Sequence, residues 1–282
     1  ADHGWLNAYH SFSFASWYNP ERIQFGMLRV LNDDTVAAGM GFGTHPHDNM
    51  EIITIPLEGD LAHKDSMGNS STIKTGDVQV MSAGTGIQHS EFNPNADLQT
   101  KLFQIWLFPK YRNVEPRYQQ ITLDVAQQKN SFAQILSPNP EDEGVWIHQD
   151  AWFYLSDFEA NFSKKLALQK QGNGFYIMNI EGEIEVNGEK LEKRDAIGIW
   201  ETNEIEILSG AFMFMRKSAL DKAGYIDEAF FMYGEDIDLS WRIIQGGWKN
   251  YYFPETSIIH YKGESTKKGS LNYVYVFYNA MI

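Results

Sequence analysis

The sequence predicts a mainly β protein: two β-barrels in tandem, residues 1–117 and 118–207, followed by a small α/β fragment over 208–282. Three observations carry this. Up to about Ile207, short β-type runs are punctuated by turn signals such as Asn32-Asp33-Asp34, Gly68-Asn69, Thr75-Gly76-Asp77 and Asn187-Gly188, the rhythm of a sandwich or barrel. The strings EGDLAHKDSMGNSSTIKTGDVQVM and EGEIEVNGEKLEKRDAIGIW share one order of Glu-Gly, strand, turn, strand, turn, strand, a weak internal repeat. After Leu208 both the spacing and the charge change: residues 208–282 carry eight basic and eight acidic side chains, so the whole net charge of −14 belongs to the first 207 residues.

Within the first part, 50–55 reads as a nearly continuous apolar strand and 77–81 alternates with period two. Residues 183–189 alternate more cleanly and contain Asn187-Gly188, the strongest short hairpin signal. In the tail, Ile237, Ser240, Trp241 and Ile244 share one face of a helix that begins near Gly234-Glu235-Asp236 and ends at Gly246-Gly247, with short strands expected at 212–215 and 251–253.

Composition narrows the partners. At 43% hydrophobic and 14% aromatic, 282 residues can bury two or three cores and do not describe a disordered chain. With 23 Lys plus Arg against 37 Asp plus Glu, neither a nucleic-acid backbone nor an anionic membrane is the expected partner. The lack of cysteine removes disulfides, thiolate zinc sites and cysteine nucleophiles, and leaves His and carboxylates as the strong metal ligands. It also fits a reducing compartment. No basic stretch leads into an apolar run at the start, and no run of roughly 18 apolar residues occurs, so a cytoplasmic location is expected. Ala1 and the apolar ending NAMI are what a piece of a longer chain would show.

The chemistry concentrates in two pairs. His45-Pro46-His47 sets two imidazoles at i and i+2, which an extended strand points to the same side. Pro46 itself biases His45 toward extended backbone. Forty-two residues after His47, His89-Ser90-Glu91 repeats the device with an imidazole and a carboxylate, following the Gly84-Thr85-Gly86 turn. Three His and one carboxylate with open positions suit a redox-active divalent metal, close to the logic of non-haem iron, although zinc, nickel, copper or manganese would also fit.

Gly39, His45, His47 and Glu51, followed by Gly76 through His89 to Asn93, resemble the two motifs of the cupin superfamily. HGWLNAYHSFSF, GFGTHPH, LEGDLAHKDSMGNSS and GDVQVMSAGTGIQHSEFN narrow the likeness to the pirin family of bicupins along essentially all of 1–207. The resemblance implies two tandem cupin (jelly-roll) barrels. It also implies one divalent metal in the first barrel, Fe(II) in the first instance, held by His45, His47, His89 and Glu91. Glu51, the ligand in many other cupins, would then support the ligands from behind. Bacterial members act as quercetin 2,3-dioxygenases, so the implied partners are a flavonol-like small molecule and O2, with Glu91, where only loosely held to the metal, as the base that takes the flavonol hydroxyl proton. The family is also described as a metal-containing redox sensor that partners transcriptional regulators, which is the alternative reading.

The second barrel has no HxH, and His148 reads as a satisfied side chain. Trp146, Trp152 and Trp200 read as core or interface, and His3, His10 and His63 carry no readable chemistry. The tail, with MYGEDIDLSWR, is similar to the C-terminal part of family 2 glycosyltransferases, which implies acceptor and base roles for Glu235 and Asp236 and a metal-diphosphate role for His260. The nucleotide-binding half such enzymes place first does not precede it, so sugar transfer is expected to be incomplete. Asp236-Ile237-Asp238 is a DxD only by accident of the helix start. The junction departs from the pirin pattern, with 211–215 as a candidate closing strand for the second barrel. Phe212, Phe214, Phe230, Phe231, Trp241 and Trp248 need the second barrel, a partner chain or solvent, which makes an oligomer-forming appendage the expectation.

Overall fold

A computed structural model describes residues 1–208, 217–224, 239 and 242–248. Ten strands build the first half: β1 (Leu6–His10), β2 (Leu28–Val36), β3 (Gly41–His47), β4 (Glu51–Glu58), β5 (Leu61–Asp65), β6 (Ser70–Ile73), β7 (Asp77–Ser82), β8 (Ile87–Phe92), β9 (Thr100–Leu107) and β10 (Arg117–Thr122). They form two antiparallel sheets, one of six strands in the order β1-β2-β9-β4-β7-β10 and one of four in the order β3-β8-β5-β6. The turns expected at Gly68-Asn69 and Thr75-Gly76 separate β5, β6 and β7.

Alternation along the strands gives the six-stranded sheet two unlike faces. On one, Leu31, Ile53, Ile55, Val78, Val80, Phe103, Ile105 and Leu107 form an apolar core. On the other, direct cross-strand partners make a row of polar side chains, Asn32, Gln104, Thr54, Gln79 and Gln120. This row corrects one expectation. Asn32-Asp33-Asp34 is not a turn but the middle of the nine-residue β2, with Asn32 and Asp34 buried. Residues with turn propensity sit in this strand because its inner face is polar.

The second half contributes β11 (Ala133–Ser137), β12 (Val145–Trp146), β13 (Phe153–Leu155), β14 (Ser163–Ala167), β15 (Phe175–Met178), β16 (Ile184–Val186), β17 (Glu189–Leu191), β18 (Ala196–Ile199) and β19 (Glu204–Leu208). They pair as β12-β11-β13, β14-β19-β16-β17 and β15-β18. Asn187-Gly188 makes the expected hairpin between β16 and β17, with φ of 49° and 90° at its two residues, the signs a type I′ turn requires. Both halves of the internal repeat thus fold as strand, turn, strand, turn, strand. A core of Phe175, Val186, Leu191, Ile205 and Ile207 belongs to this half alone.

The two halves are not separate beads. Ile135, Leu136, Val145 and Ile147 complete the same core as Ile53, Ile105 and Leu107 of the six-stranded sheet. Polar ties rim it: Arg194 Nε reaches Asp33 Oδ2 at 3.0 Å, and the Arg117 guanidinium stacks 3.8 Å from the Trp146 ring while donating to the Trp146 carbonyl. Trp146 and Trp152 are half-buried. Trp200 is not core, being 65% exposed where the chain leaves β18, although its ring keeps Phe25 within 6.2 Å.

Residues 1–159 with 164–207 form one compact unit, and 208–282 with 160–163 a second. In the second, α1 (Lys217–Ala223) is a helix the sequence reading did not anticipate. The helix expected to end at Gly246-Gly247 does so, Gly246 N–H donating to the Arg242 carbonyl and Gly247 turning out at φ 84°. Among the described residues of this helix Leu239 and Ile243 are buried, and Ile244, expected on the inner face, is exposed. The helix start at 234–236, Ile237, Ser240, Trp241, the strands at 211–215 and 251–253, and Glu235, Asp236 and His260 lie outside the described residues. Among the described residues no helix is long and apolar enough to cross a membrane.

A core shared between halves predicts shared unfolding. Ile105→Ala in the first half and Leu136→Ala in the second should each cost about 2–5 kcal/mol of the same transition, followed by urea unfolding with two spectroscopic probes. Two transitions, each moved by only one substitution, would contradict the common core.

Candidate metal centre

β3 is the edge strand of the four-stranded sheet, which accommodates Pro46 without costing a ladder hydrogen bond. It pairs antiparallel with β8 in a register that sets His45 opposite His89, with an irregularity between Phe42 and His45. His45 and His47 lie two apart on β3, so all three imidazoles meet: ring centroids are 4.9 Å apart for His45–His47, 4.4 Å for His45–His89 and 4.9 Å for His47–His89. One ring nitrogen from each lies within 4.8 Å of the other two.

The electrostatics leave these nitrogens free to bind. His45 Nδ1 donates to the Gly43 carbonyl at 2.8 Å, which leaves Nε2 as the nitrogen turned to a metal. Burial, with His45 nearby, lowers His47 to a pKa of about 4, and burial with the surrounding histidines lowers His89 to about 2. His47 Nε2 and both nitrogens of His89 are buried without a hydrogen-bond partner. Two imidazoles kept neutral by burial, His47 and His89, beside a third whose Nε2 is turned to them, fit a divalent transition metal.

Glu91 follows His89 on the inward face of β8 and is 3% exposed. It stands outside the three-nitrogen cluster. Gln104 Nε2 donates to its Oε2 at 3.0 Å and to Oε1 at 3.3 Å, and Thr54 Oγ1 lies 3.4 Å from Oε1. Burial raises its pKa, opposed by the Gln104 hydrogen bond and by His45. Glu51 is elsewhere. It alternates with Ile53 and Ile55 and so belongs to the apolar face of the six-stranded sheet; its Oε2 accepts from Ser82 Oγ at 2.6 Å. The supporting role expected of it behind the histidines is therefore not what its hydrogen bonds show, because the period of the strand turns it away from Thr54 and the site. His148 packs edge-on against Trp146, far from any ligand role.

Several residues at the centre went unread in the sequence. Trp106 stands T-shaped to His47 at 4.9 Å. Thr54 and Gln104 interrupt otherwise apolar strands, and that interruption was the available signal. His63 is 2% exposed, 5.3 Å from the His89 ring and stacked on Tyr118 at 5.0 Å. It alternates with Leu61 and Asp65, the same period-two spacing that singled out the other pairs.

Residues 1–107 match the family described as Pirin, and 134–211 match the quercetinase C-terminal cupin domain. The quercetin 2,3-dioxygenase of Escherichia coli K12 is 42% identical over 211 residues, spanning 73% of this chain and 88% of the relative. The chain belongs to the pirin family. A pirin-like protein of Caulobacter vibrioides is 41% identical over 200 residues, spanning 71% of this pirin and 85% of that protein. Among solved structures, YhhW of Escherichia coli superposes with a TM-score of 0.71 at 40% identity, covering 74% of this chain and 88% of its own. The same bacterial pirin solved in complex with nickel(II) gives 0.70 at 39% identity, covering 74% and 89%. The expected architecture of two cupin domains in a mainly β chain is thereby met.

Two outcomes follow for the centre. A Cβ on Gly41 would sit 2.2 Å from the Glu91 carbonyl oxygen and 2.5 Å from Phe92 Cα, both backbone, so β8 would have to shift where it carries His89 and Glu91. Gly41→Ala should weaken metal binding by about 10–100-fold, read by competition with a chelator. The second concerns acid. Unfolded imidazoles titrate near 6.5, so as pH falls below that value the unfolded chain takes up protons that His47 refuses until about pH 4 and His89 until about pH 2. The metal-free protein should keep this stability above pH 6.5 and lose it progressively below. Urea unfolding from about pH 7 to about pH 4.5 should show the parent losing stability relative to His89→Gln; a constant difference would contradict a neutral, buried His89.

Proposed function

We propose that this pirin is a metal-dependent dioxygenase acting on quercetin-like flavonols, with one divalent metal held by His45, His47, His89 and Glu91. The observation that carries the reading is the convergence of three imidazoles, with His47 Nε2 and both His89 nitrogens buried and unpartnered, beside a buried carboxylate. The likeness to the quercetin 2,3-dioxygenase of Escherichia coli supports the substrate class, and the nickel(II) complex of a bacterial pirin supports a transition metal. Fe(II) is the resident metal on this reading. Residues 1–117 would carry the centre and 118–207 would buttress it.

The bound metal would supply Lewis acidity toward the flavonol 3-hydroxyl oxygen and the one-electron chemistry that O2 requires. The protein's own part is positional and protonic. Burial makes Glu91 a stronger base than a surface carboxylate, so it accepts the 3-hydroxyl proton, while Gln104 and Thr54 fix the direction in which it does so. Trp106, edge-on to His47, walls the centre with an apolar ring suited to a flat aromatic ligand.

Oxygen uptake on quercetin, paired with elemental analysis, tests the reading. Glu91→Gln should lower turnover more than metal content, because an amide still offers an oxygen but accepts no proton. The His47→Ala, His89→Ala double variant should lose both. A parent that binds metal but consumes no O2 would point to a sensor instead, and turnover at the parental rate in Glu91→Gln would remove Glu91 as the base.

A further inference from the structure

His63 is a fourth imidazole in the barrel that neither the metal cluster nor the base role uses. On β5 it is the direct partner of Glu91 on β8 and of Ser71 on β6, and its neighbours Ala62 and Lys64 point the other way. It is 2% exposed, and neither Nδ1 nor Nε2 has a hydrogen-bond partner. A neutral imidazole carries one donor and one acceptor, and leaving both unmade in the interior costs free energy that an apolar ring of the same shape would not. Its orientation is nonetheless fixed. Tyr118, stacked on it at 27° between planes, is itself held by donating to Gln120 Oε1 at 2.8 Å and by a 2.5 Å hydrogen bond with Ser71 Oγ. Tyr118 therefore has no hydrogen to spare for His63. Asp65, the acidic group of β5, is spent on its own turn, accepting from the backbone N–H groups of Met67 and Asn69 and from Asn69 Nδ2.

We propose that His63 is a ligand-binding residue of the centre, donating a ring N–H to the exogenous ligand that completes the coordination of the metal held at His45, His47 and His89. It stands beside that cluster and outside it, next to His89 and Glu91, where a group bound at the open positions would be its hydrogen-bond acceptor. The inference rests on the metal reading above and is independent of the substrate assigned there.

Cobalt(II) as the metal and azide as the ligand test it without turnover, because the visible d–d bands of cobalt report azide binding. The parent should take up one cobalt and bind azide. His63→Phe should keep the cobalt stoichiometry and the melting temperature of the loaded protein but bind azide about tenfold more weakly, the loss of one hydrogen bond to an anion. His63→Gln, which retains an N–H, should recover most of that loss. Azide binding at the parental strength in His63→Phe overturns the proposal and leaves the metal reading standing. Loss of cobalt from that variant also overturns it, since His63 would then support or ligate the metal. A parent that takes up no cobalt overturns both. One measurement needs no substitution: in the zinc-loaded parent, azide should move the His63 ring 15N resonance, and an unmoved resonance counts against the proposal.

Discussion

The register between β3 and β8 is the constraint on which the rest depends. It places His45 opposite His89, and the two-residue period of each strand then delivers His47 and Glu91 to the same interior. A slip of one residue on either strand would turn one of the two pairs, His45 with His47 or His89 with Glu91, outward. Gly41, against which the Glu91 carbonyl and Phe92 are packed, is one of the contacts that excludes such a slip, because any side chain there would collide with β8 backbone.

Around this pairing the barrel accepts an unusual interior. Asn32 Oδ1, Asp34 Oδ1, both amide atoms of Gln79 and the nitrogens of His63 and His89 are buried without protein partners. Burial, with the Glu91 and Asp33 carboxylates nearby, raises Asp34 to a pKa of about 7. Unmade hydrogen bonds of this number cost stability. The opposite face of the same sheet offsets them, through the apolar core continued by Ile135, Leu136, Val145 and Ile147 from the second half. The second half has no ligand cluster of its own among the described residues.

Much of this was legible in the sequence. The HxH and HxE pairs needed only strand periodicity, and the Asn-Gly hairpin and the tandem repeat needed only turn chemistry. Three things were hidden for a common reason. Asn32-Asp33-Asp34 looked like a turn, Glu51 looked like a ligand neighbour and His63 looked idle, because each judgement required knowing which side of a strand faces what. The parity of β4 turns Glu51 away from the histidines, and the parity of β5 turns His63 inward beside Glu91. Propensity speaks of residue types, whereas the face of a strand is fixed only when its partners are known.

The two-faced sheet has a consequence for how errors in this protein declare themselves. A misregistered six-stranded sheet would present amides and carboxyls to the oily seam and isoleucines to the hydrated cavity, and each penalty would fall on the chain at once. Misassembled molecules are thus also the least stable ones. They would be the first to be cleared by proteolysis, so the same asymmetry that houses the chemistry also filters which copies survive to perform it.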